Sequence, residues 1–425
     1  MIRRNIESEL RAALADTPVV LLNGARQTGK STLAREVAAP LGAGYVTLDD
    51  ATALAAAGRD PHGFVAGLPP RVVIDEVQKA PGLFPALKIA VDTERRPGRF
   101  LLTGSANLML LPRVSESLAG RMEILTLEPL SQDELAGVRG SFIDRAFADS
   151  LAGLSGTGTL PAPVDLAAAV LAGGYPEAQA RAPGRRREAW FAAYLNALLQ
   201  RDVRDLANIE GLTEMPRLLA LLAARLGGLL NTAELSRGTG IPQTTLKRYL
   251  ALLEAAFLYR PLPAWSENLG KRLIKAPKIH LIDSGLAAHL IGYRALPAGR
   301  ESTAFGHLLE GFVVGELRKQ AGWSQTRVGL WHYRTTSGRE VDCVLEGPAG
   351  RLVGVEVKAA ATLVAKDFAG LESLAADAPE RFHAGVLLYT GERALAFGER
   401  LWAIPVCDLW QGPPDPDPGR PDLDA

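Results

Sequence analysis

Gly24-Ala25-Arg26-Gln27-Thr28-Gly29-Lys30-Ser31 stands between the apolar run Val19-Val20-Leu21-Leu22 and a helix-forming stretch that begins near Thr32. Strand, glycine-containing turn and helix, in that order, aim backbone amides at a phosphate. Lys30 then neutralises the outer phosphate oxygens, and the Ser31 hydroxyl reaches the divalent ion that bridges them. A chance glycine-rich turn is the competing reading, and it needs neither the strand before nor the helix after. The stretch from Gly24 to Thr32 therefore predicts an ATP site with Mg2+ on a parallel α/β sheet.

Three further apolar runs, Tyr45-Val46-Thr47-Leu48, Val72-Val73-Ile74 and Phe100-Leu101-Leu102, alternate with helical stretches between about Pro18 and Leu130. That alternation is the pattern of a parallel sheet covered by helices, whose ligands collect at the carboxyl ends of the strands. Val72-Val73-Ile74 delivers Asp75 to the Mg2+ shell and Glu76 to the attacking water, unless the pair is only an exposed acidic strand end. Phe100-Leu101-Leu102 leads to Thr103-Gly104-Ser105-Ala106-Asn107. Ser105 is the preferred group to sense the γ-phosphate or orient water, with Thr103 and Asn107 as alternatives and plain turn chemistry as the bland explanation. Arg121, in Ser117-Leu118-Ala119-Gly120-Arg121, is expected on the same side of the core. There it acts in trans as an arginine finger or forms a surface ion pair.

A chain of 425 residues exceeds what one hydrophobic core supports, so two to four domains are expected. The 47 basic residues balance the 47 acidic ones, which removes overall basicity as an argument for nucleic acid and leaves that case to a local patch. Cys343 and Cys407 stand far apart without a CxxC or Cys/His cluster, so they read as buried thiols and not as a disulfide or zinc framework. The start, Met1-Ile2-Arg3-Arg4-Asn5-Ile6-Glu7, has no apolar segment behind it, and no run is long enough to cross a bilayer. A cytoplasmic location without a membrane partner is expected.

Residues 153–163 form a small, uncharged Gly/Pro-rich connector, and residues 411–425 a polar Pro/Asp tail expected to be disordered. Between them, Leu166 to Phe257 reads as helical. Asn231 to Leu250 has the cadence of a helix-turn-helix: a first helix ends near Gly240, and Pro242 opens a second. Gln243, Thr244 and Thr245 then occupy the turn that faces a DNA groove, Lys247 and Arg248 contact phosphates, and Ala251 to Tyr259 continues the helix toward a wing. A protein-packing module is the alternative. Arg185-Arg186-Arg187 is a second phosphate contact or a solvated helix face. Farther on, Glu340–Leu345 and Leu352–Lys358 form a hairpin around Gly347-Pro348. Glu356 and Lys358, two residues apart, share one face, and Asp342 lies on the partner strand. Two carboxylates there can hold Mg2+ while a lysine orients water for phosphodiester attack, or the charges merely alternate on a half-buried strand.

Gly24 through Leu33, Asp75-Glu76-Val77-Gln78-Lys79, Leu102-Thr103-Gly104-Ser105 and Leu118-Ala119-Gly120-Arg121 closely resemble a prokaryotic family of AAA-type ATPases with a C-terminal domain of unknown function. Gly173-Gly174-Tyr175-Pro176-Glu177, Arg201-Asp202-Val203, Lys278 through Leu286 and Val355-Glu356-Val357-Lys358 extend the resemblance over nearly the full chain. It implies an AAA-type core at 1–135, a winged-helix-like middle at 136–265 and a restriction-endonuclease-like α/β domain of PD-(D/E)XK type at 266–410. In such folds a helix supplies an extra carboxylate, which Glu310 matches, so that Glu310, Asp342 and Glu356 with Lys358 make a second metal site. AAA-type relatives assemble as homo-oligomeric rings, a hexamer among them, which strengthens Arg121 as a trans-acting group. The leading expectation is an ATP-driven enzyme that processes duplex, branched or single-stranded DNA. The alternatives are a nucleotide-dependent switch that binds a protein partner in defence or regulation, and a nuclease gated by ATP.

Overall fold

The computed structural model describes residues 2–105, 118–148, 165–202, 214–294 and 303–410. Asn107, the 153–163 connector, Val203 and the 411–425 tail lie outside them.

After helix α1 (Glu7–Asp16), strand β1 (Val19–Asn23) leads through the glycine-containing loop to α2 (Lys30–Ala38). Strand β2 (Gly44–Thr47), helices α3 (Ala51–Arg59) and α4 (Pro61–Ala66), β3 (Val72–Asp75), α5 (Leu83–Thr93), β4 (Phe100–Gly104) and β5 (Met122–Thr126) complete the first unit. All its strand pairs are parallel, in the order β2-β3-β4-β1-β5. Every residue of β1, β3 and β4 is buried because each face carries its own helical layer. Val20 and Leu22 meet Leu33 and Val37 of α2, whereas Val19 and Leu21 share the opposite core with Leu83 and Leu87 of α5. The four apolar runs are therefore strands, and three of them end side by side.

The middle region contains helices Leu166–Ala172, Arg185–Ala197, Met215–Ala223, Thr232–Thr239 and Gln243–Ala255. Asn231 caps the fourth, its Oδ1 accepting from the Glu234 amide at 3.1 Å, and Gly240 ends it at φ 80°. The last helix stops at Ala255 and does not continue to Tyr259. Phe257 adopts φ 61°, and the Leu258 amide turns back to Leu253 O at 2.8 Å. Tyr259 and Leu262 then pair antiparallel with Leu281 and Lys278, and Lys278 also bridges Leu229. A short ribbon thus interrupts the expected all-α region.

Helix Thr303–Gln320 precedes a second sheet made of β6 (Gly329–Arg334), β7 (Glu340–Glu346), β8 (Leu352–Lys358), β9 (Phe382–Tyr389), β10 (Leu395–Ala396) and β11 (Leu401–Pro405). Its order is β10-β11-β9-β8-β7-β6, with β8-β9-β11 parallel and the remaining pairs antiparallel. Helix Ala369–Asp377 covers one face through Leu371 and Leu374. The other face, with Leu345 and Val355, joins Leu309, Val313, Leu218 and Leu253 in a core shared with the middle region. Cys343 is buried and Cys407 only half-buried, and both are free thiols. Among the described residues no helix is long and apolar enough to cross a membrane.

Candidate functional site

The loop after β1 folds tightly enough to admit only glycine at its first position. Gly24 has φ 146°, and a Cβ there would lie 2.2 Å from Leu127 O. Gln27 and Gly29 also take positive φ, 62° and 95°, so that α2 begins at Lys30. Lys30 is buried, with Nζ donating to Ala25 O at 2.7 Å, and Thr28 Oγ1 donates to the same carbonyl at 3.0 Å. Arg26 is half-buried, and Gln27 and Thr32 are exposed. Two residues without a motif brace the loop from outside. Arg4 Nη1 donates to Thr28 O at 2.7 Å, its Nη2 donates to Glu128 O at 2.7 Å, and its Nε lies 3.1 Å from Glu134 Oε1. Tyr194 OH donates to Arg26 O at 3.3 Å.

Asp75 is the hub between the strands. Ser31 Oγ donates to its Oδ1 at 2.8 Å, Tyr45 OH and Thr47 Oγ1 donate to Oδ2 at 2.8 and 3.4 Å, and Thr103 Oγ1 donates to Oδ1. Burial raises the Asp75 pKa, but the hydroxyls of Thr103, Tyr45, Ser31 and Thr47 outweigh it and hold the carboxyl below its ordinary value. Glu76 follows in the left-handed region, φ 58°, with its amide donating to Thr103 Oγ1 at 3.2 Å. That turn aims its carboxylate away from Asp75 and toward the end of β4. There Ser105 Oγ donates to Glu76 Oε2 at 3.1 Å, and Gln78 Nε2 donates to the same oxygen and to Ser105 Oγ, the latter at 2.8 Å. Lys30, Ser31, Asp75, Glu76 and Ser105 are thus brought together, and Thr103 serves Asp75 instead. Tyr45 and Gln78 were not legible as site residues, although Gln78 sits two positions from Glu76.

Arg121 is placed differently from expectation. The parallel register sets Met122 beside Val19, and Arg121 O accepts the Val19 amide at the start of β1. It therefore lies at the opposite end of the sheet from Lys30, about 13 Å of strand away at ~3.3 Å per residue. Its guanidinium pairs with Asp92 of α5, Nε–Oδ1 2.5 Å and Nη2–Oδ2 3.1 Å. No role within its own chain's nucleotide site is open to it.

In the helix pair, Gln243, Thr244, Lys247 and Arg248 are exposed on the first turns of Gln243–Ala255, and Thr245 is half-buried. Arg187 is committed to capping, its Nε donating to Ala178 O at 3.0 Å, so the triple-arginine run is not a uniform solvated face.

Glu310, on helix Thr303–Gln320, and Asp342, Glu356 and Lys358, on the second sheet, do converge, around Lys278, which the family resemblance had included without a role. Lys278 Nζ donates to Asp342 Oδ1 at 2.7 Å and to Glu310 Oε1 at 2.9 Å. The Val357 amide donates to Asp342 Oδ2 at 3.0 Å, and Lys358 Nζ lies 3.0 Å from Glu356 Oε1. The three carboxylates expected to ligate a metal are engaged by two ammonium groups and a backbone amide. Among the described residues no group of three or more His, Cys, Asp or Glu is disposed to hold a metal ion.

Residues 16–136 match an AAA domain, residues 164–296 a domain of unknown function (DUF8612), and residues 305–409 another (DUF4143). The Mycobacterium tuberculosis protein Rv2008c is 35% identical over 365 residues, covering 85% of this chain and 74% of that protein. The Mycobacterium bovis protein Mb2031c matches with the same figures, 35% identity over 365 residues. Among solved structures, the Walker-type ATPase PABY2304 of Pyrococcus abyssi is 15% identical with a TM-score of 0.40, covering 68% of this chain and 96% of its own. The chain belongs to the family of Rv2008c and carries an AAA domain at residues 16–136 and a DUF4143 domain at residues 305–409.

Proposed function

We propose that this chain hydrolyses ATP with Mg2+ to drive a motor or remodeller that works on DNA. The observation that carries the hydrolytic half is the convergence of Lys30 and Ser31 after β1, Asp75 and Glu76 after β3, and Ser105 after β4. Ser31 Oγ and Asp75 Oδ1, 2.8 Å apart, are hard oxygen donors suited to Mg2+, which neutralises charge on the phosphate oxygens when bound. Lys30 places its ammonium at the start of α2, where backbone amides also favour an anion. Glu76 draws the proton from water as its oxygen attacks the γ-phosphorus and the bond to the bridging oxygen breaks. Ser105 holds the Glu76 carboxylate for that step. Ser105→Ala removes one of two hydrogen bonds to Glu76 Oε2 and lowers turnover about 5- to 10-fold, the equivalent of about 1 kcal/mol. Steady-state phosphate release measures it, and unchanged turnover counts against Ser105 as a positioning group.

The DNA half rests on the helix pair Thr232–Thr239 and Gln243–Ala255, which presents Gln243, Thr244, Lys247 and Arg248 on an exposed face ahead of the ribbon. In this reading it is a winged helix, and the PD-(D/E)XK-like sheet is a docking fold for the same client. Arg121 acts only between copies, which makes a homo-oligomeric ring part of the proposal. Turnover measured with and without duplex, branched and single-stranded DNA tests it. The expected result is stimulation, with Lys247→Ala reducing the slope of log affinity against log salt by about 1. Failure of every DNA form to bind at low salt or to alter turnover sinks it. One observation favours a second reading: Gln78 and Ser105 both tie down Glu76, as suits a slow nucleotide-dependent switch that binds a protein partner. Long-lived ATP or ADP occupancy without salt-sensitive DNA affinity would select that one.

A further inference from the structure

The cluster at the second sheet has the carboxylates of a divalent-cation site, but both oxygens of Asp342 and one each of Glu310 and Glu356 are already engaged. Asp342 uses one oxygen for Lys278 Nζ at 2.7 Å and the other for the Val357 amide at 3.0 Å. Glu310 Oε1 receives the same ammonium at 2.9 Å. Gly227, at φ 72°, packs so closely that a Cβ on it would lie 2.3 Å from Glu310 Oε2, so its backbone closes that side of the carboxylate. The Lys278 side chain is 1% exposed. Mg2+ demands several oxygens at about 2.1 Å in an octahedron, and an ammonium between the two carboxylates excludes that on both distance and charge. Two lysines already face three carboxylates here. The donor set does not fit the ion that a PD-(D/E)XK nuclease requires.

We propose that the ammonium of Lys278 is the resident cation of this nuclease-like pocket, excluding a divalent ion, leaving the domain unable to cleave phosphodiesters, and stapling the helical middle region to the C-terminal sheet. The stapling follows from where the backbone of Lys278 belongs. Its amide donates to Leu262 O at 2.9 Å, and the Leu262 amide returns to Lys278 O at 3.0 Å. One residue on, the Ile279 amide donates to Gly228 O at 2.8 Å, and the Gly227 amide to Ile279 O at 2.9 Å. The main chain is thus woven into the ribbon beyond the helix pair, while the side chain ends on helix Thr303–Gln320 and strand β7. A shift of the ribbon must carry the ammonium with it or leave buried carboxylates unpaired, so the two regions move together. Glu356 Oε2, buried and without a hydrogen-bond partner, has capacity left should the ammonium be removed.

The test uses the full chain, free of nucleotide, with Mn2+ as the probe. Mn2+ binding is read by electron paramagnetic resonance and by thermal melting. In the parent chain, binding is expected to match that of Asp342→Asn, and plasmid DNA incubated with Mn2+ stays intact. Lys278→Ala is expected to melt about 5–10 °C lower, with Mn2+ recovering part of the loss. The double variant Lys278→Ala/Asp342→Asn loses that recovery. Should Lys278→Ala fail to fold, the variant Lys278→Met/Glu310→Gln/Asp342→Asn removes the ammonium together with both carboxylates bonded to it and is expected to fold without responding to Mn2+. Asp342-dependent Mn2+ binding or DNA cleavage by the parent chain overturns the proposal. So does a folded Lys278→Ala chain whose melting is unchanged and indifferent to Mn2+. None of these readouts involves ATP hydrolysis, so they stand apart from the nucleotide site.

Discussion

Glu76→Gln is expected to lower ATP turnover by about 100- to 10,000-fold, the range associated with a positioned general base, while ATP affinity changes little. Glutamine keeps the shape of the side chain, and its carbonyl oxygen still accepts from Ser105 and Gln78, so the end of β4 and the short turn after Glu76 stay in place. What disappears is the negative charge that draws a proton from water. Lys30 and Ser31 stand at the start of α2 and are untouched. The variant should therefore accumulate bound, uncleaved ATP, which single-turnover hydrolysis combined with filter binding of labelled nucleotide detects. Parent-like turnover would remove Glu76 from the role of base and return it to being the acidic end of a strand.

Lys30→Ala is expected to fail earlier, at binding. Hydrogen bonds to a charged donor contribute about 1.5–3 kcal/mol, so nucleotide affinity falls about 10- to 100-fold. Turnover at saturating ATP falls further, because charge grows on the γ-phosphate oxygens as the bond breaks. The loop itself should survive, since Ala25 O, which receives Lys30 Nζ, also accepts Thr28 Oγ1 at 3.0 Å and keeps a partner. Isothermal titration with ATP, alongside a melting curve, separates lost affinity from lost fold. The two variants thus differ in kind, one retaining ATP and the other not. If Lys30→Ala binds ATP as tightly as the parent chain, the nucleotide does not sit on this loop.

The first sheet could be read in advance because each buried strand is a short, continuous apolar run, and the phosphate loop because its spacing has few other uses. Chain direction then places Ser31, Asp75 and Ser105 at one end of the sheet without further information. Arg121 was misplaced because its position depends on register: only the pairing of Met122 with Val19 shows that it belongs to the other end. The continuation of the helix through Tyr259 failed for a local reason, since Phe257 in a left-handed conformation and the pull of the buried ribbon override helix propensity. Lys278 was the hardest to see. Its partners stand 32 and 64 positions away, and its companions Glu310, Asp342 and Glu356 spell a metal site when read without it.

Arg4 has a practical consequence for how the chain is cut. It lies before residue 16, where the AAA match begins, and yet it ties Thr28 O, Glu128 O and Glu134 into one brace behind the nucleotide loop. A fragment trimmed to residues 16–136 would lose that brace. It would also lose Glu316, whose carboxylate caps the Gln132 amide at 2.8 Å. Poor nucleotide binding by such a fragment would report the surgery and not the enzyme.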